Sequence, residues 1–466
     1  MKNSLLTLLL SFTFLTATAQ IPELWGSMSI GGSFGIGGII KIKGDGSGYA
    51  IDYACTGGSN GGSIQTNLYP YSPTLFYGTS VSGGNNARGD IYSYNPFTKN
   101  YTMLFSMDSL SGYYPRGPIC VPPNSKIYGL TNNGGVNDKG VFFEYNIVNN
   151  QYTKRHDFDG TSGALPNGGV IYVGSTNKVY GMTTSGGTNN AGVIFSFNVS
   201  NNTFTVVHDF SFANGFAGFG TLTEASNGLL YGMAFGGGSL GNGVLFSFNP
   251  GNNNYNVIYN FNSTNGAAPM GQLIEDGGTL YGCTSQGGTN NKGIIFSYFI
   301  SGNTFTKLHD FDVATGSSPF GGVIRATDGK LYGMTLNGGA NNLGTIYSYS
   351  LSNSLYTKIY DGSFATGGFP YADLIQFTGP TAIDEFESTK SNINIFPNPT
   401  RGEITIEQKD FSKESNLQIV NTLGQTVFVA PLTSSSTQLK LNLQPGIYFY
   451  FLQDDVNHRA GKLLVE

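Results

Sequence analysis

At 466 residues the chain is long enough for several domains, and its net charge of −5 leaves no basic excess to attract nucleic acid or an anionic membrane surface. Only 11% of its residues are charged, whereas 68 are Gly and 14% are aromatic. So many Tyr and Phe exclude a disordered chain, and abundant Gly with few charges suits an all-β protein of many tight turns.

The first residues, MKNSLLTLLLSFTFLTATAQ, place Lys2 ahead of an apolar run from Leu5 to Leu15 and a small-residue site at Ala17-Thr18-Ala19. This is the pattern of a secretory signal peptide over residues 1–19, which is excluded from the fold. No later stretch approaches the ~20 apolar residues of a membrane helix, so no transmembrane segment is expected. Cys55, Cys120 and Cys283 are odd in number and follow no disulfide or zinc spacing, and each reads as a buried thiol in a strand-like run.

From Leu24 onward one phrase recurs. An aromatic–Gly pair stands at Trp25-Gly26, Tyr77-Gly78, Tyr128-Gly129, Tyr180-Gly181, Tyr231-Gly232, Tyr281-Gly282 and Tyr332-Gly333, in steps of 52, 51, 52, 51, 50 and 51 residues. Gly-Gly follows six and seven residues after each aromatic, and another Gly twelve after it. Each unit holds four strand-like runs, in the sixth GQLIED, TLYGCTS, GIIFSYF and TFTKLHDF, separated by turn residues. Repeats near 50 residues with four strands read as propeller blades, so residues 20–378 are expected to form a seven-bladed β-propeller of about 28 strands.

The phase of the ends predicts closure. The chain starts with strands two to four of a blade (Leu24 to Cys55) and ends with a lone first strand, Pro370 to Phe377. That strand is expected to pair beside Trp25–Ser29, completing the first blade and covering its edge. First strands tend to begin with Gly, as at Gly168-Gly169, Gly220, Gly271 and Gly321-Gly322, where inner strands crowd the axis.

The units LYGMTTSGGTNNAGVIFSFN and TKLHDFDVATGSSPFGGVIRATDGKLYG resemble the GloVer tandem repeat of exported bacterial proteins, which carry interchangeable C-terminal anchors. The resemblance covers Leu24 to about Phe377 and implies no particular activity. Copy one departs from it, with Trp for Tyr and no His-Asp-Phe, and copy seven ends KIYDGSF. A linker follows over 379–391. Residues 392–466 then read as a small strand-rich domain with turns at Asn398-Pro399 and Pro445-Gly446. Pro397, Asn398, Pro399, Leu423-Gly424-Gln425, Gly446, Tyr448 and Lys462 make this segment similar to the type A sorting domain of the type IX secretion system, found in Bacteroidota. That resemblance implies a β-sandwich-like domain, the type IX secretion machinery as partner, and a product anchored at the outer surface or released.

Signs of catalysis are few. The chain has no G-x-S-x-G elbow, H-E-x-x-H or P-loop, and no catalytic residue, cofactor or metal is assigned. GSFGIGG at Gly32 to Gly38 lacks the strand–turn–helix context of a nucleotide loop and occupies the turn of its repeat. His156, His208 and His309 share one repeat position in fourth strands, roughly 14 Å outside the first strands. So placed they do not converge on a metal and are expected to hold the outer edge of each blade. Glu275-Asp276 and Asp384-Glu385 read as turn and linker residues, and nothing selects the facing carboxylates of a glycosidase.

The Gly-Gly phrase joins strands two and three, on the face expected to carry the links between blades. Gly and Asn tolerate the left-handed conformation of a tight reversal, which explains the Gly positions outright. Between them stand Asn86, Asn137, Asp138, Asn189, Asn190, Asn290, Asn291, Asn341 and Asn342. Amides offer donors and acceptors together, which suits sugar hydroxyls, and copies around one face would combine weak contacts. The expected function is a secreted or surface-anchored module that binds an extracellular glycan or protein without catalysis. A structural envelope scaffold and a polysaccharide lyase or hydrolase are the alternatives.

Overall fold

A computed structural model describes residues 21–377, 393–408, 415–421, 426–453 and 458–466. The expected signal peptide at 1–19, the expected linker at 379–391 and Gly424 lie outside these residues.

Residues 21–377 are all-β apart from one short 3-10 turn, and build seven antiparallel sheets, one per unit. The fourth sheet shows the plan: Val170–Val173, Lys178–Met182, Val193–Asn198 and Thr203–Asp209, hydrogen-bonded in chain order. Its third strand, VIFSFN, is buried at five consecutive positions, so it is covered on both faces and shows no alternation. Every fourth strand carries a register shift at the same place, between Phe195 and Ile194 in this sheet, which adds local twist.

The third unit departs from the four-strand plan. It has Lys126–Thr131, Val141–Asn146 and Gln151–Asp157, but its inner strand is reduced to a bridge between Cys120 and Tyr128. Pro118, Pro122 and Pro123 flank that bridge and donate no N–H to a ladder. The region therefore has 27 strands among its described residues, one fewer than the pattern suggests. In the first sheet Glu23–Met28 lies between Gly38–Lys43 and the final strand Ile375–Gln376, with Leu24 opposite Gln376 and Trp25 opposite Ile375. The end of the repeat region pairs with its beginning, as the phase of the ends requires.

The aromatic–Gly pair that marks each repeat has a packing cause. Gly181 lies opposite Phe195 and Gly232 opposite Phe246, and a Cβ on either Gly would stand 2.5 Å from the facing ring. The ring covers the glycine and the preceding Tyr is buried in the next layer. Apolar clusters fill the space between each sheet and its successor. A further cluster joins Tyr332, Met334 and Ile346 of the seventh sheet to Leu24, Ile40 and Leu374 of the first. Cys55, Cys120 and Cys283 are buried in such clusters and unpaired.

At the inner ends the sheets meet backbone to backbone. A Cβ on Gly117 would collide with Gly168, on Gly168 with Gly220, on Gly220 with Gly271, on Gly271 with Gly321, and on Gly321 with Ala372 and Asp373. Five successive sheets thus need glycine where their first strands begin.

Residues 393–466 form two further antiparallel sheets. One joins Ile393–Phe396, Glu403–Gln408 and Ser436–Lys440, and the other Thr426–Leu432, Ser415–Asn421, Gly446–Gln453 and His458–Val465. Ile404 and Ile406 of the first share one buried cluster with Leu417, Ile419, Leu452 and Leu463 of the second.

Gly220→Ala is expected to lower the unfolding free energy by about 1–3 kcal/mol, because the new methyl has no direction in which to relax. Gly174→Ala, whose Cβ would meet only the Tyr172 ring at 3.9 Å, serves as the control and should change it by less than about 0.5 kcal/mol in urea unfolding.

Candidate functional site

Three features repeat around the sheets: the Gly-Gly loops, the outer histidines, and the segments that converge on a central cavity.

The Gly-Gly loop folds back on the end of its own fourth strand. In the fourth sheet Gly186, Gly187, Asn190 and Gly192 have φ of +78°, +75°, +51° and +95°. Asp209 Oδ1 accepts the Thr188 N–H at 2.7 Å, Asn189 Nδ2 donates to the Phe210 carbonyl at 2.9 Å, and Asn190 Oδ1 accepts the Gly186 N–H at 3.0 Å. Asn137, Asn290 and Asn341 likewise donate to the carbonyls of Phe158, Phe311 and Gly362, and Asn86 to that of Met107. Asp138, Asn291 and Asn342 accept from the N–H groups of Gly134, Gly287 and Gly338. The nine residues singled out in the sequence occupy equivalent exposed places in five separate loops, and each stitches its own loop. In the Asn pairs the first Oδ1 and the second Nδ2 make no hydrogen bond among the described residues.

The histidines sew neighbouring sheets together at the outer edge. His156 stacks on Phe204, His208 on Tyr255 and His309 on Tyr356, with ring centroids 3.7, 4.1 and 3.9 Å apart, each partner lying in the next fourth strand. His156 Nε2 meets Ser162 Oγ at 2.8 Å, whereas the Nε2 atoms of His208 and His309 are buried without a partner. Burial holds all three imidazoles below their ordinary pKa, against an opposing pull from neighbouring Asp residues.

Where the links turn into first strands, all seven sheets contribute to one cavity of about 160 Å³. Its lining is layered. Immediately before the small-residue layer stand Gln65, Arg116, Asn167, Phe219, Phe320 and Tyr371, and immediately after it Asn67, Thr221, Gln272 and Asp373. Asp373 Oδ2 accepts from Asn67 Nδ2 at 2.8 Å, its N–H donates to Asn67 Oδ1 at 2.9 Å, and its Oδ1 accepts from the Gly322 N–H. That residue therefore ties the final strand to both neighbouring sheets. Although one side of Asp373 meets the cavity, the surrounding protein raises its carboxyl pKa. The side chains of Arg116, Asn167 and Gln272 have no hydrogen bond or ion pair among the described residues.

None of these cavity residues stands out in the sequence by type. Their signal lies in register: the residue before the small inner residue (Thr66, five glycines, Ala372) changes from Gln to Arg, Asn, Phe, Met, Phe and Tyr through units whose other phrases repeat.

In the C-terminal sheets, Asn398 Nδ2 donates to the Lys462 carbonyl at 2.7 Å and Asn398 Oδ1 accepts the Leu464 N–H at 2.9 Å. The Pro397-Asn398-Pro399 turn is thereby joined to the last strand at Lys462. Gly446 opens the strand Gly446–Gln453, and the buried Tyr448 donates its hydroxyl to the Gln444 carbonyl.

Residues 15–231, 120–284 and 178–382 match the Gloeobacter/Verrucomicrobia repeat. The chain belongs to this repeat family. Residues 394–466 match the secretion system C-terminal sorting domain, the signal of type IX secretion to the cell surface. Among the described residues no helix is long and apolar enough to cross a membrane. No curated protein matches the chain. Among solved structures it is similar to PorZ, a surface component of the type IX secretion system of Porphyromonas gingivalis, at 14% identity and a TM-score of 0.47, over 93% of this chain and 63% of that one. A putative 6-phosphogluconolactonase from Bacteroides uniformis is similar at 13% identity and a TM-score of 0.48, over 73% of this chain and 95% of that one. TolB from Acinetobacter baumannii is similar at 12% identity and a TM-score of 0.39, over 61% of this chain and 62% of that one. The chain thus spans a little under two thirds of the length of TolB and of PorZ.

The buried histidines predict a pH dependence with a defined sign. Their folded pKa values lie below the ordinary 6.5, so the unfolded chain binds protons that the folded one does not. Their contribution is therefore complete above about pH 6.5 and is lost as pH falls through and below it. Between about pH 7.5 and pH 5 the melting temperature of His208→Gln/His309→Gln should fall less than that of the parent chain, measured by circular dichroism.

Proposed function

We propose that the repeat region closes into a seven-bladed β-propeller, displayed at the cell surface by type IX export, and that it is a non-catalytic binding module with its site at the mouth of the central cavity. In this reading a leader at 1–19 is removed during export, residues 20–378 form the propeller, and 392–466 carry the sorting signal.

One observation supports the site above all others. The mouth is the place where near-identical units differ in chemistry, and it holds unpaired polar groups beside aromatic ones. Recognition needs such variety, because a ligand without sevenfold symmetry must meet different groups on different sides. A pure scaffold would account for the glycine layer and the stitched loops, but gives Arg116, Asn167 and Gln272 no reason to be unpaired. Hydrolysis of a glycoside needs two carboxyls across a cleft, and Asp373 is the single carboxylate in the lining, with both oxygens already accepting hydrogen bonds. The free amide atoms of the Asn loops support a second reading, in which the surrounding loop ring binds the ligand instead.

Retention of the exported chain on immobilised polysaccharides, with reducing and unsaturated ends assayed in parallel, separates these readings. Saturable retention without new ends is expected, weakened at least about tenfold by Asn167→Ala/Gln272→Ala and kept by Asn189→Gly/Asn290→Gly. Loss in the loop variant alone moves the site to the Asn ring. New chain ends make the protein an enzyme, and no retention on any polysaccharide contradicts a glycan-binding module.

A further inference from the structure

The order of residues around the mouth divides it into two arcs. Gln65, Arg116 and Asn167 come from the second, third and fourth sheets, and Phe219, Phe320 and Tyr371 from the fifth, seventh and first, with Met270 at the same register position in the sixth. Neighbouring sheets are packed in that order, so the polar arc and the apolar arc are each continuous. Phe320 meets Tyr371 edge to face at 5.2 Å, and Phe219 packs against Phe235 of the adjoining loop at 5.3 Å, which holds the aromatic arc in place.

Among the described residues Arg116 is the only cation in the cavity lining, and it is exposed there without an acidic partner. Elsewhere in these sheets cations are mostly neutralised: Lys126 and Arg155 pair with Glu144, Lys154 with Asp157, Lys307 with Asp310, Arg325 with Asp276 and Lys358 with Asp361. A guanidinium left open in a cavity is a fork for a carboxylate or another planar anion. Asp373, also in the lining, already has both oxygens accepting hydrogen bonds from Asn67 and Gly322, and burial raises its carboxyl pKa.

Resting on the reading of the mouth as a binding site, we propose that it takes the carboxylate-bearing terminal sugar of an acidic glycan, with the carboxylate on Arg116 and the C–H face of the ring against Phe320 and Tyr371. The remaining groups select a sugar over a peptide. Asn167 and Gln272 each present an unpaired amide, donor and acceptor together, which matches hydroxyls that also do both. A pyranose has an apolar C–H face, and aromatic side chains provide a rigid surface for it. At about 160 Å³ the cavity is smaller than the ~300–1,000 Å³ of sites that engulf a whole ligand, and admits one terminal ring while the rest of the polymer stays outside.

The test is equilibrium binding of the full exported chain to trigalacturonate, neutral galactotriose and triglutamate, for the parent, Arg116→Gln, Arg116→Lys and the control Lys178→Gln. Trigalacturonate is expected to bind at least about tenfold more tightly than the other two. Arg116→Gln should remove that preference, Arg116→Lys should retain part of it, and Lys178→Gln should leave it unchanged. Tighter binding of triglutamate overturns the glycan class in favour of an acidic peptide. Equal binding of acidic and neutral trisaccharides, both weakened by Phe320→Ala, overturns the acidic class and leaves the mouth as the binding site. Trigalacturonate binding that is indifferent to both Arg116 and Phe320 overturns the site itself.

Discussion

Backbone crowding at the inner ends of the sheets is the constraint on which the rest of the structure depends. Gly117, Gly168, Gly220, Gly271 and Gly321 each lie against the backbone of the next sheet, where no Cβ fits. The approach brings seven strand starts around one small cavity, and the outer strands must then diverge. Aromatic pairs and stacked histidines fill the widening space. Asp373 completes the inner layer from the final strand, hydrogen-bonding to the sheets on both sides. Strand pairing at the first sheet and side-chain bonding beside the cavity thus join the beginning and the end of the repeat region.

Much of this was legible because each unit repeats the same local demands. The aromatic–Gly pair reflects a glycine beneath a facing ring, and the Gly-Gly phrase a reversal with several positive φ values. Such requirements admit few residues and survive in every copy, so a ruler of seven marks could be read directly. The first strand of the third unit reads as a regular inner strand because Ile119 and Cys120 look strand-like, while the prolines on either side remove the donors that a ladder needs. Gly424 and the segments expected to be a signal peptide and a linker fall outside the described residues.

The candidate site was harder to see, for a physical reason. Asp373 and Asn67 are 306 residues apart in the chain, so no local pattern announces their pairing. Arg116 and Tyr371 look like ordinary loop residues until the sheets place them at one mouth. The repeated Asn residues point to the loops, where Asn189, Asn290 and Asn341 each donate to a backbone carbonyl just past the fourth strand of their own sheet. Repetition reports the frame, whereas departures from repetition report what the frame presents. In an exported chain with few charges, the Arg116 guanidinium, without an ion pair among the described residues and lining a cavity that also presents aromatic rings, is the departure with the most chemical content.

A crystal structure of the exported chain grown with digalacturonate tests the central claim most directly. Seven sheets closed by Ile375–Gln376 against Glu23–Met28 are expected, with one sugar ring beside Phe320 and Tyr371 and its carboxylate on Arg116. A sugar bound only to the outer loops, or an open ring in which residues 371–377 lie away from 23–28, would contradict it.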